Sequence, residues 1–321
     1  MKYFISVISV LFCCSCLFGL ELGNIRDTEN FSGVDNPADR AAIIRFVSTF
    51  EKERPISTTP EDAYPKASGI QDFKPNPASK EIMETLGRHG HVVLKPGVYD
   101  FYLQAFCLNA GKYAPKSSGS SYLVAPLKGS QADAVKHLLQ NYPKHPEIKQ
   151  SEAQYLIWAI EVGCKFSDLP DQEQAAAQKI LSKEDLQGFN SSLWDILPKP
   201  LRVRLFGELA NQLPDDVRGV LEVYNEIQNK IAISKYSYEQ LEKMAVISGE
   251  PPAMEKQTEA GTWFNTGKGY YTRVFEDGFK RARVQVYIPN KSGISDFNPA
   301  SDIGMPANTS YQRIAVSCAG K

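Results

Sequence analysis

HVVLKPGVYDFYLQAFCLNAG, residues 91–111, runs in short apolar-polar alternations on either side of Pro96–Gly97. Period-two patterning around a Pro-Gly pair predicts two strands of a sheet. YLVAPL, residues 122–127, adds a third short strand after the flexible stretch KSSGSS. From Gln131 the period lengthens: QADAVKHLLQNY carries Ala134, Val135, Leu138 and Leu139 on one side, as a helix does.

The helical reading continues for more than a hundred residues. HPEIKQSEAQYLIWAIEVG predicts a helix with Ser151 as its cap and Glu152 just inside. Residues 168–181 and SKEDLQGF predict two more, the latter opening on a Ser-x-x-Asp start that resembles a capping box. DDVRGVLEVYNEIQNKIAIS after Pro214, then SYEQLEKMAV, complete a helical block over about 130–245. Strands then return. YYTRVFEDGFKRARVQVYIP is a hairpin turning at Asp277–Gly278, with Val284, Val286 and Ile288 on one face. NPASDIGMPANTSYQRIAVSCAG holds one more strand ending near Cys318. Strand elements at about 90–128 and 261–318 therefore flank an inserted helical bundle, and the terminal strands are expected to meet in one sheet with the helices to one side. The fold class is α+β.

The segment before this is simpler. MKYFISVISVLFCCSCLFGL, residues 1–20, has one lysine and then an apolar run too short to span a bilayer, which reads as a signal for export. Cys14 and Cys16 invite a lipid-anchor reading, although neither has the usual residues before it. Residues 21–90 hold one helix in NPADRAAIIRFVSTFEKERP, a proline-rich strap, and a short helix, SKEIMETLGRHG, closing at a glycine. The remaining organisation is read as 91–190 and 191–321. The expected home is exported: periplasm, cell surface or exterior, with a lipid anchor as an option.

Composition narrows the functions. A formal charge of −1 gives no electrostatic case for a nucleic-acid partner, and no later segment is apolar enough to cross a membrane. There is no Gly-x-Ser-x-Gly elbow and no His-Glu-x-x-His, and Gly267-Lys268-Gly269 lacks the remainder of a phosphate loop. His89-Gly90-His91 has no partner pattern to complete a zinc site. No metal, no cofactor and no turnover activity are expected. Trp158, Trp263, Tyr270 and Tyr271 are the candidate binding aromatics, the last three in WFNTGKGYY as a carbohydrate-stacking surface.

Cysteine is the anomaly. Beyond residue 20 the chain has three, Cys107, Cys164 and Cys318, an odd number for an oxidising compartment. Gln154, one turn before Trp158 on its helix, is a second oddity, because a glutamine beside an apolar face needs a partner. It either bonds a strand carbonyl or faces water.

Phe106-Cys107-Leu108 and Gln154-x-x-Ile157-Trp158 together resemble the reactive motifs of thioester domains, adhesin modules of bacterial surfaces. The resemblance implies a β part joined to a helical part, a thiol from Cys107 and an acyl group from Gln154, condensed with loss of ammonia. It implies covalent attachment to an amine on a surface protein or glycan. His137 or His145 would then shuttle the proton. With Cys107 so used, Cys164 and Cys318 are left to form a disulfide. Three features depart from the family: it places far more chain between its cysteine and its glutamine, Ala153 stands where a threonine or serine is usual, and the nearest segment to its second glutamine motif is LLQNYP around Gln140. The alternative is a structural or assembly protein of the cell envelope, in contact with other envelope proteins, with Cys107 buried and inert.

Overall fold

The computed structural model describes residues 31–70, 74–115, 121–190, 193–251, 259, 261–278 and 280–318. The expected export signal, with Cys14 and Cys16, lies outside the described residues. The helices are α1 (Pro37–Lys52), α2 (Lys80–His89), α3 (Ala132–Asn141), α4 (Gln150–Glu161), α5 (Asp171–Ile180), α6 (Lys183–Gly188), α7 (Lys199–Phe206), α8 (Asp215–Ala232) and α9 (Tyr238–Ala245). The strands are β1 (Lys66–Ala67), β2 (Asn76–Pro77), β3 (Val92–Leu94), β4 (Gly97–Leu108), β5 (Lys112–Tyr113), β6 (Ser121–Pro126), β7 (Val246–Ile247), β8 (Trp263–Asn265), β9 (Tyr271–Asp277), β10 (Arg281–Ile288), β11 (Ser295–Phe297), β12 (Asp302–Met305) and β13 (Arg313–Ser317). The fold is α+β, with strands flanking a helical insertion.

The early and late strands do meet. β4 pairs with β10 on one edge and β13 on the other, both antiparallel. The order β9-β10-β4-β13-β12-β6 closes on itself, because β6 also pairs with β9 through Ser121↔Phe275 and Tyr122↔Val274. Closure removes the exposed edges an open sheet would carry. Alternation decides which residues fill the barrel: Phe101, Leu103 and Ala105 from β4, Val284 and Val286 from β10, and Ile314 and Val316 from β13 share one buried cluster. Phe106, Leu108 and Ala315 have the opposite parity and join the larger core that the helices lay over the outside of the barrel. That outer core runs from Phe31 to Ala315, so it crosses the sequence boundary placed at 190.

Two local expectations change. β3 and β4, on either side of Pro96–Gly97, are not paired to each other; β3 forms its own ribbon with β11. Ser151 does not cap α4. The helix starts two residues earlier, at Gln150 with Lys149 in the cap position, and Glu152 reaches back to accept the Lys149 N–H at 2.6 Å. Other signals act as read: Asn36 accepts from the Ala38 N–H at the start of α1, and Gly90 ends α2 with φ of 75°. A side chain at Gly90 would also press on the Gln140 carbonyl oxygen, 2.7 Å from a Cβ there.

Cys164 and Cys318 do not form the expected disulfide: all three cysteines of the described residues are buried and none is in a disulfide. The reason is topological. Cys164 packs in the outer, helical core, while Cys318 follows β13 into the barrel cluster, its sulfur 3.7 Å from the Met83 carbonyl. The sheet stands between them.

Candidate functional site

β10 accompanies β4 only as far as Gln104, which pairs with Arg281; the Lys280 carbonyl then accepts the Ala105 N–H. Beyond that point one edge of β4 has no strand beside it, and buried main-chain groups there need partners. α4 supplies them from one face. Gln150 Nε2 donates to the Ala105 carbonyl at 2.9 Å and to the Lys280 carbonyl at 2.8 Å. One turn on, Gln154 meets Cys107 twice: the Cys107 N–H donates to Oε1 at 2.7 Å, and Nε2 donates to the Cys107 carbonyl at 2.9 Å. Further along, both carboxylate oxygens of Glu161 accept the Ala110 N–H at 3.2 Å. Three polar side chains of one helix thus substitute for a missing strand.

The fold therefore brings Gln154 to Cys107, but to its main chain. Both ends of the Gln154 amide are occupied in completing the β4 edge, which is the strand-carbonyl role open to it from the sequence.

Cys107 is fully buried, and its N–H and carbonyl turn toward α4, so its pairing with Ile314 on β13 is of the non-hydrogen-bonded kind, in which side chains approach most closely. Gln312 lies two residues before Ile314, immediately outside β13. Gln312 is itself fully buried. Its Nε2 donates to the Lys112 carbonyl at 3.0 Å and the Ala245 carbonyl at 2.8 Å, whereas its Oε1 is buried with no hydrogen-bond partner. An unpaired buried oxygen of this kind calls for an explanation. Gln312 was missed in the sequence because nothing local marks YQRIAV; its burial and its unpartnered oxygen are the signal, and both arise from the tertiary fold. Gln140 sits on α3 instead.

The electrostatics hold the thiol protonated. Burial raises the Cys107 thiol well above its ordinary range, the Glu161 and Glu242 carboxylates push it further, and Lys280 opposes them. Burial also lifts the Glu161 carboxyl to about 7, against the hydroxyl of Tyr224, which donates to Oε1, the Ala110 N–H and the charge of Arg313. A cavity of about 200 Å³ opens beside the site, lined by Gln150, Gln154, Tyr238, Lys149 and Lys280 among others.

The remaining candidates lie elsewhere. His137 faces Asp185 at 3.1 Å and His145 faces Glu147 at 3.5 Å, and neither is among the charges acting on the thiol. Trp158 is buried and stacked on Tyr238 with ring centres 5.7 Å apart. The carbohydrate surface expected at WFNTGKGYY is not formed as such: Trp263 is buried with the Arg273 guanidinium 4.3 Å from its ring centre, and Tyr270 is buried with its hydroxyl on Asp302. Tyr271 stacks on Tyr287 instead. His91 pairs with Asp296 at 2.8 Å, and no cluster of metal-binding side chains occurs among the described residues. No helix among them is long and apolar enough to cross a membrane.

No family model, no curated protein and no solved structure matches this chain.

Proposed function

We propose that this chain is an exported, adhesin-like binding protein that attaches covalently to amines through an internal thioester at Cys107, with Gln312 as the acyl donor. The observation that carries the reading is Gln312 itself: fully buried, two residues before Ile314, which pairs with the fully buried Cys107, and ending in a carboxamide oxygen without a partner. The separation agrees too, since the family resemblance expects a long stretch of chain between cysteine and acyl donor. Gln154 is then the bracket that holds the Cys107 main chain at the right depth.

The chemistry balances as two acyl transfers. The Cys107 sulfur bonds to the Gln312 side-chain carbonyl carbon, the carbon–nitrogen bond breaks, and ammonia leaves with the thiol proton. A primary amine of a surface protein or glycan later attacks the same carbon, expelling the thiol and leaving a stable amide. Holding the groups together supplies the effective concentration, and burial keeps water from the thioester. The protein is consumed by its reaction and does not turn over.

Intact mass tests this. Native protein should be lighter than its sequence by one ammonia and should gain one methylamine on treatment, with the adduct on Gln312. Cys107→Ala and Gln312→Ala should abolish both effects. An adduct mapped to Gln154 would move the acyl donor to that residue. A native mass equal to that of the unmodified chain, with no adduct, would leave the envelope structural or assembly role with an inert thiol, which the deep burial of Cys107 favours.

A further inference from the structure

A cavity of about 220 Å³ opens between α7 and α8, sharing no lining residue with the one beside Cys107. Its polar wall consists of donors and amides: Lys199 and Arg202 from α7, with Asn225, Gln228 and Asn229 from α8. No carboxylate is among its lining residues. Among the described residues these five side chains make one hydrogen bond, from Arg202 Nη1 to Gln228 Oε1 at 3.3 Å. Arg202 Nε and Asn225 Oδ1 are buried with no hydrogen-bond partner, a lone donor and a lone acceptor lining the same space. Native folds leave few such orphans, so a pair in one cavity points to a missing ligand.

The guanidinium is held for such a role. Its carbon lies 5.3 Å from the Trp194 ring centre, and Gln228 takes Nη1. The edge left over, Nε with Nη2, is a fork of two parallel N–H bonds that matches the two oxygens of a carboxylate. Burial disfavours the Arg202 charge, and Asp195, which offsets part of that, is itself 2.8 Å from Lys165. The rest of the wall is apolar, from Val203, Phe206, Ala232 and Ile233. Val203 and Ile233, 68 % and 71 % exposed, are the two most exposed large apolar side chains of the described residues.

We propose that the α7–α8 cavity is a binding site for a small 2-hydroxy carboxylic acid with a compact apolar side chain. The carboxylate accepts from Nε and Nη2 of Arg202, and the hydroxyl donates to Asn225 Oδ1, so both orphans gain partners. Lys199 at the rim adds a second positive charge, which favours an anion and disfavours an amino acid's ammonium. Val203, Phe206 and Ile233 cover the hydrocarbon part. The space is smaller than the roughly 300–1,000 Å³ of a drug-sized ligand, which limits the body to a few carbons. The site does not depend on the thioester reading.

Titration calorimetry and nitrogen-15 NMR of the full chain test this, with 2-hydroxyisovalerate as the probe. Saturable binding of one probe per chain is expected, with a shift of the Arg202 Nε–H resonance. 2-Hydroxyisovaleramide, which lacks the charge, should bind about tenfold or more weaker, the loss of a charge-assisted hydrogen bond. Isovalerate, which lacks the hydroxyl, should bind about threefold to tenfold weaker, the loss of a neutral one. Arg202→Gln should weaken the probe about tenfold or more. Asn225→Asp, nearly the same shape, should abolish binding by setting a carboxylate against the acid. Exposed Lys199→Gln leaves the fold in place and should cost about threefold, the range of a surface ion pair. No saturable binding up to about 10 mM probe would overturn the proposal. So would equal affinity for the amide, inorganic phosphate binding as tightly as the probe, or unchanged binding in Asn225→Asp.

Discussion

Truncating Gln154 perturbs the bracket at the β4 edge and nothing else of comparable size. Gln154→Ala removes one acceptor and one donor, leaving the Cys107 N–H and carbonyl buried without partners. Each orphaned group costs about 1–3 kcal/mol. The adjoining cavity of about 200 Å³ is polar enough to admit water, which offsets part of the loss. The expected destabilisation is about 2–4 kcal/mol, read as a lower urea midpoint at unchanged slope. Gln154→Glu sharpens the test. It keeps the acceptor but sets a carboxylate oxygen against the Cys107 carbonyl, so its folded-state proton affinity rises. Its penalty is then smallest in acid and grows as pH climbs above about 4, where the unfolded side chain ionises. A Gln154→Ala loss within about 0.5 kcal/mol of zero, the range of a neutral surface change, together with a pH-independent Gln154→Glu, would refute the bracket.

Three further outcomes follow from other parts of the fold. Glu161 is raised from 4.5 to about 7, so the wild type is favoured below the lower value and loses stability as pH rises through the window between them. Chemical denaturation of wild type against Glu161→Gln should show the wild type losing ground across that window by on the order of 3 kcal/mol, then levelling off. Gly129 has φ of 134°, and a Cβ there would stand 2.0 Å from the Pro55 carbonyl oxygen; Gly129→Ala should cost more than about 2 kcal/mol by thermal or urea unfolding. Asp302 accepts Tyr64, Tyr270 and Lys268 at 2.7, 3.1 and 2.6 Å, and Asp302→Ala should cost about 2–4 kcal/mol in the same assay, chiefly by taking the acceptor from two tyrosine hydroxyls at once.

Much of the architecture was legible because its signals are local. The helix of residues 150–161, the Asp277–Gly278 hairpin and the Ser182–Asp185 capping box all depend on neighbours a few residues apart. Pairing across the chain was legible only in outline. That early and late strands meet could be expected, but not that β6 returns to β9 and closes a barrel, nor that β3 leaves β4 for β11. The same limit shaped the site. Cys107 and Gln154 stood out by residue type, and the fold brings them together; that Gln154 serves the main chain depends on where β10 parts from β4. Gln312 became visible only through its burial beside β13 and its unpartnered oxygen. The aromatic candidates failed for a simple reason: Trp263 and Tyr270 stood out by residue type alone, yet in the fold Arg273 lies over one ring and Asp302 takes the other's hydroxyl.

The most direct measurement is tandem mass spectrometry of the protein digested in mild acid after denaturation without reductant or amines. The account predicts a mass deficit of one ammonia and a linked pair of peptides, one containing Cys107 and the other Gln312. Recovery of both peptides unlinked at full mass, with the Cys107 thiol free to alkylate, would contradict it.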